Sequence, residues 1–478
     1  MIWLMFDTNN TSSKSSRRDW LKALSLGGAA AMLPSCQKPE AKQAGSPAKS
    51  DRVRGIVYMV SDGMSPGVLT MAQAFSKQIR QRGTHWWDLI NQRSSARGLM
   101  DTASANSLVT DSAAASSAWG GGQRVKNGMI NVSVEGKEIT PIAAILKKKD
   151  VRIGLVTTAS VTHATPAGFA ASVKERSNEN SVAQQYLNRV DVILGGGSQF
   201  FDPKKRSDRA DLFAEFGSAG YQVVKNRQEM LDAKNEKLLG TFAPNYIPYT
   251  IDREQSAELQ AQVPVLAEMA EAALSRFLSS GKPFLLQVEG ARIDHAAHLN
   301  DIGALLREQL AFDDSVGKVL ELCAAHPDVL VVVTSDHGNA NPGLNGIGPS
   351  YGESTRSFAT IARMKQSHEM LFAKWRQNPQ QNLNALIKDS LGFALHQDEA
   401  QCLEAVLTRK PIVEWNDLLE NPEGQLGQFA GNHTGVGWTG TTHTSDPTIV
   451  TATGPQAERF SGMVVNTNVN VHLQELLG

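Results

Sequence analysis

Six short runs rich in Val and Ile punctuate the chain: 56–60 (IVYMV), 153–157 (IGLVT), 190–194 (VDVIL), 284–288 (FLLQV), 329–334 (VLVVVT) and 448–453 (TIVTAT). They are nearly continuous rather than alternating, so each predicts a strand covered on both faces. Longer stretches with helical character separate them, among them 142–149, 265–278, 302–325 and 382–391. That alternation predicts an α/β fold with a mostly parallel central sheet and helices on both of its faces. With 478 residues, 41% of them hydrophobic and 20% charged, the chain is long enough to bury such a core.

The residues at the exit of each run narrow the function. Residues 56–60 lead into Ser61-Asp62-Gly63, and 284–288 into Glu289-Gly290-Ala291-Arg292-Ile293-Asp294-His295. Residues 329–334 lead into Ser335-Asp336-His337-Gly338, and 153–157 reach Thr162-His163-Ala164-Thr165 a few positions later. In open parallel sheets ligands bind beyond the carboxyl ends of the strands, so four strand exits converge on one crevice. Asp294 and His298 are four apart, which puts them on one face of a helical turn. Carboxylates and imidazoles without thiolates suit catalytic zinc, and a carboxylate-rich corner suits magnesium.

The stretch Leu108 to Gly122 (LVTDSAAASSAWGGG) predicts a helix beginning after Ser112, with Asp111 or Ser112 as its cap. The same amides and the helix dipole would favour an anion, so a nucleophilic Ser112 also fits this place, although on this stretch alone the cap is the preferred reading.

In this order and spacing the motifs resemble those of the alkaline phosphatase family, from about Gly55 to Ala340 and again from about Gly435 to Pro455. Val109-Thr110-Asp111-Ser112-Ala113-Ala114 matches the nucleophile motif. His163-Ala164-Thr165-Pro166-Ala167 continues to Arg176, at the spacing of the family's phosphate-binding arginine. The resemblance implies an alkaline-phosphatase-like fold with peripheral insertions and hydrolysis of phosphate monoesters through a phosphoserine on Ser112. It implies one zinc on Asp294, His298 and His443, and a second on Asp62, Asp336 and His337 with Ser112 beside it. A third ion, magnesium, would use Asp62, Thr165 and Glu289. Two such ions can clamp the attacking and leaving oxygens of an in-line displacement, while Arg176 holds two phosphoryl oxygens.

Two positions depart from many bacterial members. His163 stands where those have Asp, and His295 where they often have Lys; both are expected as substrate contacts, direct or through water, and His163 bears on the identity of the third metal. His443 is preferred to His433 as the last zinc ligand, because Trp438 to Thr442 and the run 448–453 supply the family context. The family also implies a homodimer. Residues 341–434 are expected as a peripheral insertion, within which 357–419 carries no motif, and 201–251 as a further elaboration.

Other classes fit less well. A sulfatase would show Cys-x-Pro-x-Arg or its Ser equivalent, and Asp111-Ser112-Ala113-Ala114-Ala115 has neither that Pro nor that Arg. Superfamily phosphodiesterases commonly use Thr as nucleophile and lack this arginine. An exported non-catalytic binding lipoprotein would not need every catalytic position filled. With 47 basic against 48 acidic residues, nothing indicates a nucleic-acid-binding surface.

The N-terminal region reads as an address. Ser16-Arg17-Arg18-Asp19-Trp20-Leu21-Lys22 resembles a twin-arginine export motif, and Leu33-Pro34-Ser35-Cys36 a lipoprotein box. The expectation is a signal segment over 1–36, a possible lipid anchor at Cys36, a flexible tether over 37–54, and a catalytic domain over 55–478 in the periplasm. With only Cys36, Cys323 and Cys402 there is no disulfide framework, although Cys323 and Cys402 could pair if they met.

Overall fold

The structure, a computed structural model, describes residues 52–408 and 421–478. The signal segment with Cys36 lies outside the described residues, as do nearly all of the tether and residues 409–420. Fourteen strands occur among the described residues: β1 Gly55–Ser61, β2 Ala96–Met100, β3 Arg152–Ser160, β4 Val192–Gly196, β5 Gln222–Val224, β6 Leu238–Thr241 and β7 Phe284–Gly290. They continue with β8 Val329–Thr334, β9 Gly338–Asn339, β10 Gly343–Leu344, β11 Val436–Gly437, β12 His443–Thr444, β13 Thr448–Thr453 and β14 Gly462–Val464.

Ten of them form one sheet in the order β14-β2-β13-β8-β1-β7-β3-β4-β6-β5. From β8 to β5 every pairing is parallel. β13 runs antiparallel to both β8 and β2, and is the one reversed strand of the sheet. All six runs identified in the sequence contain strands, 190–194 shifted by two residues to Val192–Gly196, while β2, β5, β6 and β14 are additions to the sheet. The block 201–251 lies at the periphery in a specific sense, because β5 and β6 form one edge of the central sheet.

Both faces of the sheet are buried, as continuous apolar strands require. Val57, Met59, Leu286, Val288, Val331 and Val333 belong to one core, whereas Ile56, Tyr58, Leu285, Leu330 and Val332 belong to the other. The helix Leu266–Ser280 packs on the first face through Met269, Ala270, Ala273, Leu274 and Phe277, and ends at Gly281 in the left-handed conformation (φ 67°). The helix Ile302–Cys323 starts at Asp301, whose carboxylate accepts from the Ala304 amide at 2.9 Å. Helices of the segment 354–434 contribute Phe358, Leu371, Phe372, Ile387 and Leu426 to that same core. Cys323 and Cys402 are both free. No described helix is long and apolar enough to cross a membrane.

Candidate active site and metal centre

Ser112 sits at the start of the helix Ser112–Gly121, and the sequence expectation needs one correction here. The helix is capped by Asp111, whose Oδ1 accepts from the Ala114 amide at 2.9 Å, and Ser112 is already the first helical residue. Both residue types cap well, so the sequence leaves a one-residue ambiguity. The outcome matters chemically: the cap is supplied by Asp111, and the Ser112 hydroxyl is released toward the site. Its Oγ lies 3.1 Å from His337 Nε2, and the residue is only 2% exposed.

The small residues after Ser112 let this helix press onto the next one, Ala164–Ala170. Ser116 Oγ donates to the Ala164 carbonyl at 2.8 Å, and Gly120 lies against the Gly168 carbonyl. Two helix starts, carrying Ser112 and Thr165, are thereby brought to the same end of the sheet. Asp62 follows β1, Glu289 is the penultimate residue of β7, and Asp336 and His337 follow β8. His443 arrives by a separate route, since β12 pairs with β9 in the register His443↔Asn339, which stacks its ring 3.7 Å from that of His337.

Three sets of donor atoms converge. In the first, His298 Nδ1 donates to the Thr441 carbonyl at 2.7 Å and His443 Nδ1 to the Thr110 carbonyl at 2.8 Å. Carbonyls only accept, so both rings direct Nε2 inward, where the two nitrogens are 3.1 Å apart. Asp294 lies 3.3 Å from His298 Nε2 and 3.6 Å from His443 Nε2. Ligands about 2.0–2.1 Å from a tetrahedral ion are about 3.3 Å from one another, so the spacing fits zinc. Despite opposing burial, Asp294 holds the His298 imidazole up to about 9. Burial and the neighbouring His337 push His443 down to about 4.

In the second set, His337 Nε2 lies 3.1 Å from Asp336 and 3.7 Å from Asp62. Asp62, Asp294 and His337 also converge, which makes the first two sets contiguous. Asp336 Oδ2 and both carboxylate oxygens of Asp62 are buried without a hydrogen-bond donor, an arrangement that a cation would satisfy. Burial, reinforced by Asp336, Asp294 and Glu289, raises the Asp62 carboxyl well above its ordinary range.

The third set joins Asp62, Glu289 and His163. Glu289 Oε1 and Thr165 Oγ1 are again buried without partners, and burial raises Glu289 to about 7. An oxygen-rich corner of this kind fits a hard divalent ion. His163, expected as a substrate contact, also stands within reach of this set, with burial and then Arg176 lowering it to about 3.

Arg176 faces the same space, with Nη1 donating to Asp111 Oδ2 at 3.1 Å and Nη2 to His163 Nε2 at 3.0 Å. His295 is 5.7 Å from His163, ring to ring, and accepts at Nδ1 from Arg292 Nη1 at 3.0 Å. Sequence reasoning misses Arg292. It is buried 3.5 Å over the Tyr249 ring and paired with Glu369 at 2.9 Å, although its place two residues before Asp294 could have flagged it. Asn339, just after Asp336-His337-Gly338, donates to Asp294 Oδ1 at 2.6 Å and is missed as well. Tyr246, 4.5 Å from His295, lies in a segment with no sequence signal at all. His433 stacks on Phe393 at 4.1 Å and belongs to none of the converging sets.

The chain is similar to known proteins over most of its length. The family model described as alkaline phosphatase matches residues 53–478, so the likeness runs unbroken across 341–434, where the motifs alone left a gap. Alkaline phosphatase 3 of Bacillus subtilis is 30% identical over 449 residues, covering 91% of this chain and 92% of the relative. The streptomycin-6-phosphate phosphatase of Streptomyces griseus is 32% identical over 372 residues, covering 68% and 82%. The crystal structure of Thermus thermophilus alkaline phosphatase superposes with a TM-score of 0.83 at 32% identity, covering 92% of this chain and 95% of that one.

Proposed function

The chain belongs to the alkaline phosphatase family, and on that premise we propose that it hydrolyses phosphate monoesters to inorganic phosphate and an alcohol by way of a phosphoserine on Ser112. The observation that carries this reading is the Ser112 hydroxyl, uncapped at the first turn of a helix and 3.1 Å from His337, with Arg176 and three donor sets around it. Asp294, His298 and His443 would hold one zinc, Asp62, Asp336 and His337 a second, and Asp62, Thr165 and Glu289 a magnesium ion. When bound, such ions supply Lewis-acid charge that makes hydroxyl and water nucleophilic and stabilises the oxygens of an in-line displacement.

The chain's own groups do the rest. Amides of the first turn of Ser112–Gly121 favour negative charge on Ser112 Oγ. That oxygen gives up its proton to solvent and attacks phosphorus, the Oγ–P bond forms as the ester P–O bond breaks, and the alkoxide takes a proton from solvent to leave as the alcohol. Arg176, held by Asp111 and His163, donates its remaining N–H groups to two nonbridging phosphoryl oxygens, while His163 and His295 line the substrate side. Water then attacks the phosphoserine, breaking Oγ–P, releasing phosphate and restoring the serine.

The test compares the purified protein, supplied with zinc and magnesium, with Ser112→Ala on a chromogenic phosphate monoester. The parent is expected to show activity that rises with pH, and the variant to release almost no phosphate. Turnover in the variant equal to the parent's, or a metal-loaded parent that is inert, would sink the reading. Export by the twin-arginine route to the periplasm, a lipid on Cys36, the tether over 37–54 and a homodimer belong to the same proposal; fractionation, Cys36→Ser and light scattering test them.

A further inference from the structure

The turn Asn127–Gly128 touches both halves of the phosphate site without belonging to either. Asn127 Nδ2 donates to the Val109 carbonyl at 2.9 Å, and its Oδ1 accepts from the Asp111 amide at 3.1 Å. One side-chain amide thus holds the backbone on both sides of Thr110, the residue whose carbonyl accepts from His443 Nδ1 at 2.8 Å. The Asn127 amide N–H is fixed in turn by Asn106 Oδ1 at 2.9 Å. The next residue completes the link: Gly128 N donates to Asp111 Oδ2 at 2.9 Å, and its carbonyl accepts from the Arg176 amide at 2.8 Å. Gly128 takes a positive φ of 84°, which glycine adopts at no steric cost.

Ser112 follows Asp111 directly, and Arg176 is 64 positions beyond Ser112 in the sequence. The Arg176 side chain meets the segment carrying Ser112 through Asp111 Oδ2, a single 3.1 Å contact. The backbone link through 127–128, beside the paired Ile130 and Val173, ties the two segments together independently of that contact. We propose that Asn127 is a positioning residue that sets the Ser112–Arg176 geometry by clamping residues 109–111 onto the turn that anchors Arg176. The inference rests on the roles given above to Ser112 and Arg176. Misplacement of reacting groups by a fraction of an ångström to 1 Å is enough to cost large factors in rate.

Asn127→Ala removes both side-chain contacts. Asn127→Asp, nearly isosteric, keeps an acceptor for the Asp111 amide but sets an oxygen against the Val109 carbonyl and a charge near Asp111. In full-length protein with unchanged zinc content and circular dichroism, both variants are expected to lose about 10-fold or more in kcat/KM, and inhibition by inorganic phosphate is expected to weaken several-fold. In an Arg176→Ala background the further loss from Asn127→Ala is expected to shrink to within about threefold, as for residues acting through one another. Kinetic constants within twofold of the parent in either folded variant overturn the inference, and so does an equal loss in both backgrounds. If Ser112→Ala, measured alongside, keeps turnover, the nucleophile reading fails instead, which separates the two failures.

Discussion

Both ends of the Arg176 guanidinium are engaged within the protein, Nη1 on Asp111 and Nη2 on His163. This holds the planar fork pointing at the space beside Ser112 before substrate arrives, so little ordering is left for the moment of binding. A lysine would retain the charge but could make neither the paired contacts nor two parallel bonds to phosphoryl oxygens. Arg176→Lys is therefore expected to lower kcat/KM by roughly 10- to 100-fold and to weaken phosphate inhibition, in a protein whose thermal midpoint stays within a few degrees of the parent's. Steady-state kinetics beside calorimetry check it. If Arg176→Lys matches the parent, the fork is not what binds phosphate.

The helices Ser112–Gly121 and Ala164–Ala170 approach so closely that a methyl group on Gly120 would collide with the Gly168 carbonyl, backbone against side chain with no soft neighbour to yield. Gly120→Ala is expected to destabilise the fold by about 1–3 kcal/mol through overpacking and to lower activity as well, because the two helix starts carry Ser112 and Thr165. Gly217, inside the helix Leu212–Ser218, has open space around the position of a Cβ, so Gly217→Ala is the opposite case. It is expected to gain roughly 0.5–1 kcal/mol with unchanged kinetics. Chemical denaturation measures both; a Gly120→Ala protein as stable as the parent would mean that the helices can separate freely. The close approach was half legible: the run of small residues was plain in the sequence, but not the partner they face. Similarly, the strand exits bearing Asp62, Glu289 and Asp336 could be read locally, because each carboxylate lies at the end of its own apolar run. The strands β2, β5 and β14, read as ARGLM, QVV and GMV, are too short or too mixed to carry such a signal. The reversal of β13 and the Arg292–Tyr246 flank of the site depend on contacts between distant segments, which no local pattern encodes.

At the scale of the whole molecule, four carboxylates, Asp62, Glu289, Asp294 and Asp336, are buried where β1, β7 and β8 end, in the middle of the sheet. Their mutual repulsion acts against the fold unless cations offset it, so metal removal is expected to lower the thermal midpoint of the entire domain rather than loosen one loop. The pH dependence of the chelated protein has a definite sign. His298, raised to about 9 chiefly against burial by Asp294, contributes stability that is fully present below its ordinary value of 6.5 and is lost as pH rises through 9. Glu289, raised to about 7 by burial, contributes in the same sense, being most favourable below 4.5 and losing that advantage as pH rises through 7. His163 and His443, lowered to about 3 and about 4, act oppositely, but their effect is largely complete once pH exceeds 6.5. Between pH 7 and 9 the chelated protein should therefore lose thermal stability progressively, while the zinc- and magnesium-loaded protein, whose ligands are already deprotonated, should change much less. The gap between the two melting temperatures widens toward alkaline pH, and re-adding zinc and magnesium closes it. Scanning calorimetry at several pH values with and without chelator measures that gap; a constant gap, or one that narrows above pH 7, would show that the buried carboxylates and imidazoles are neutralised by something other than the bound ions.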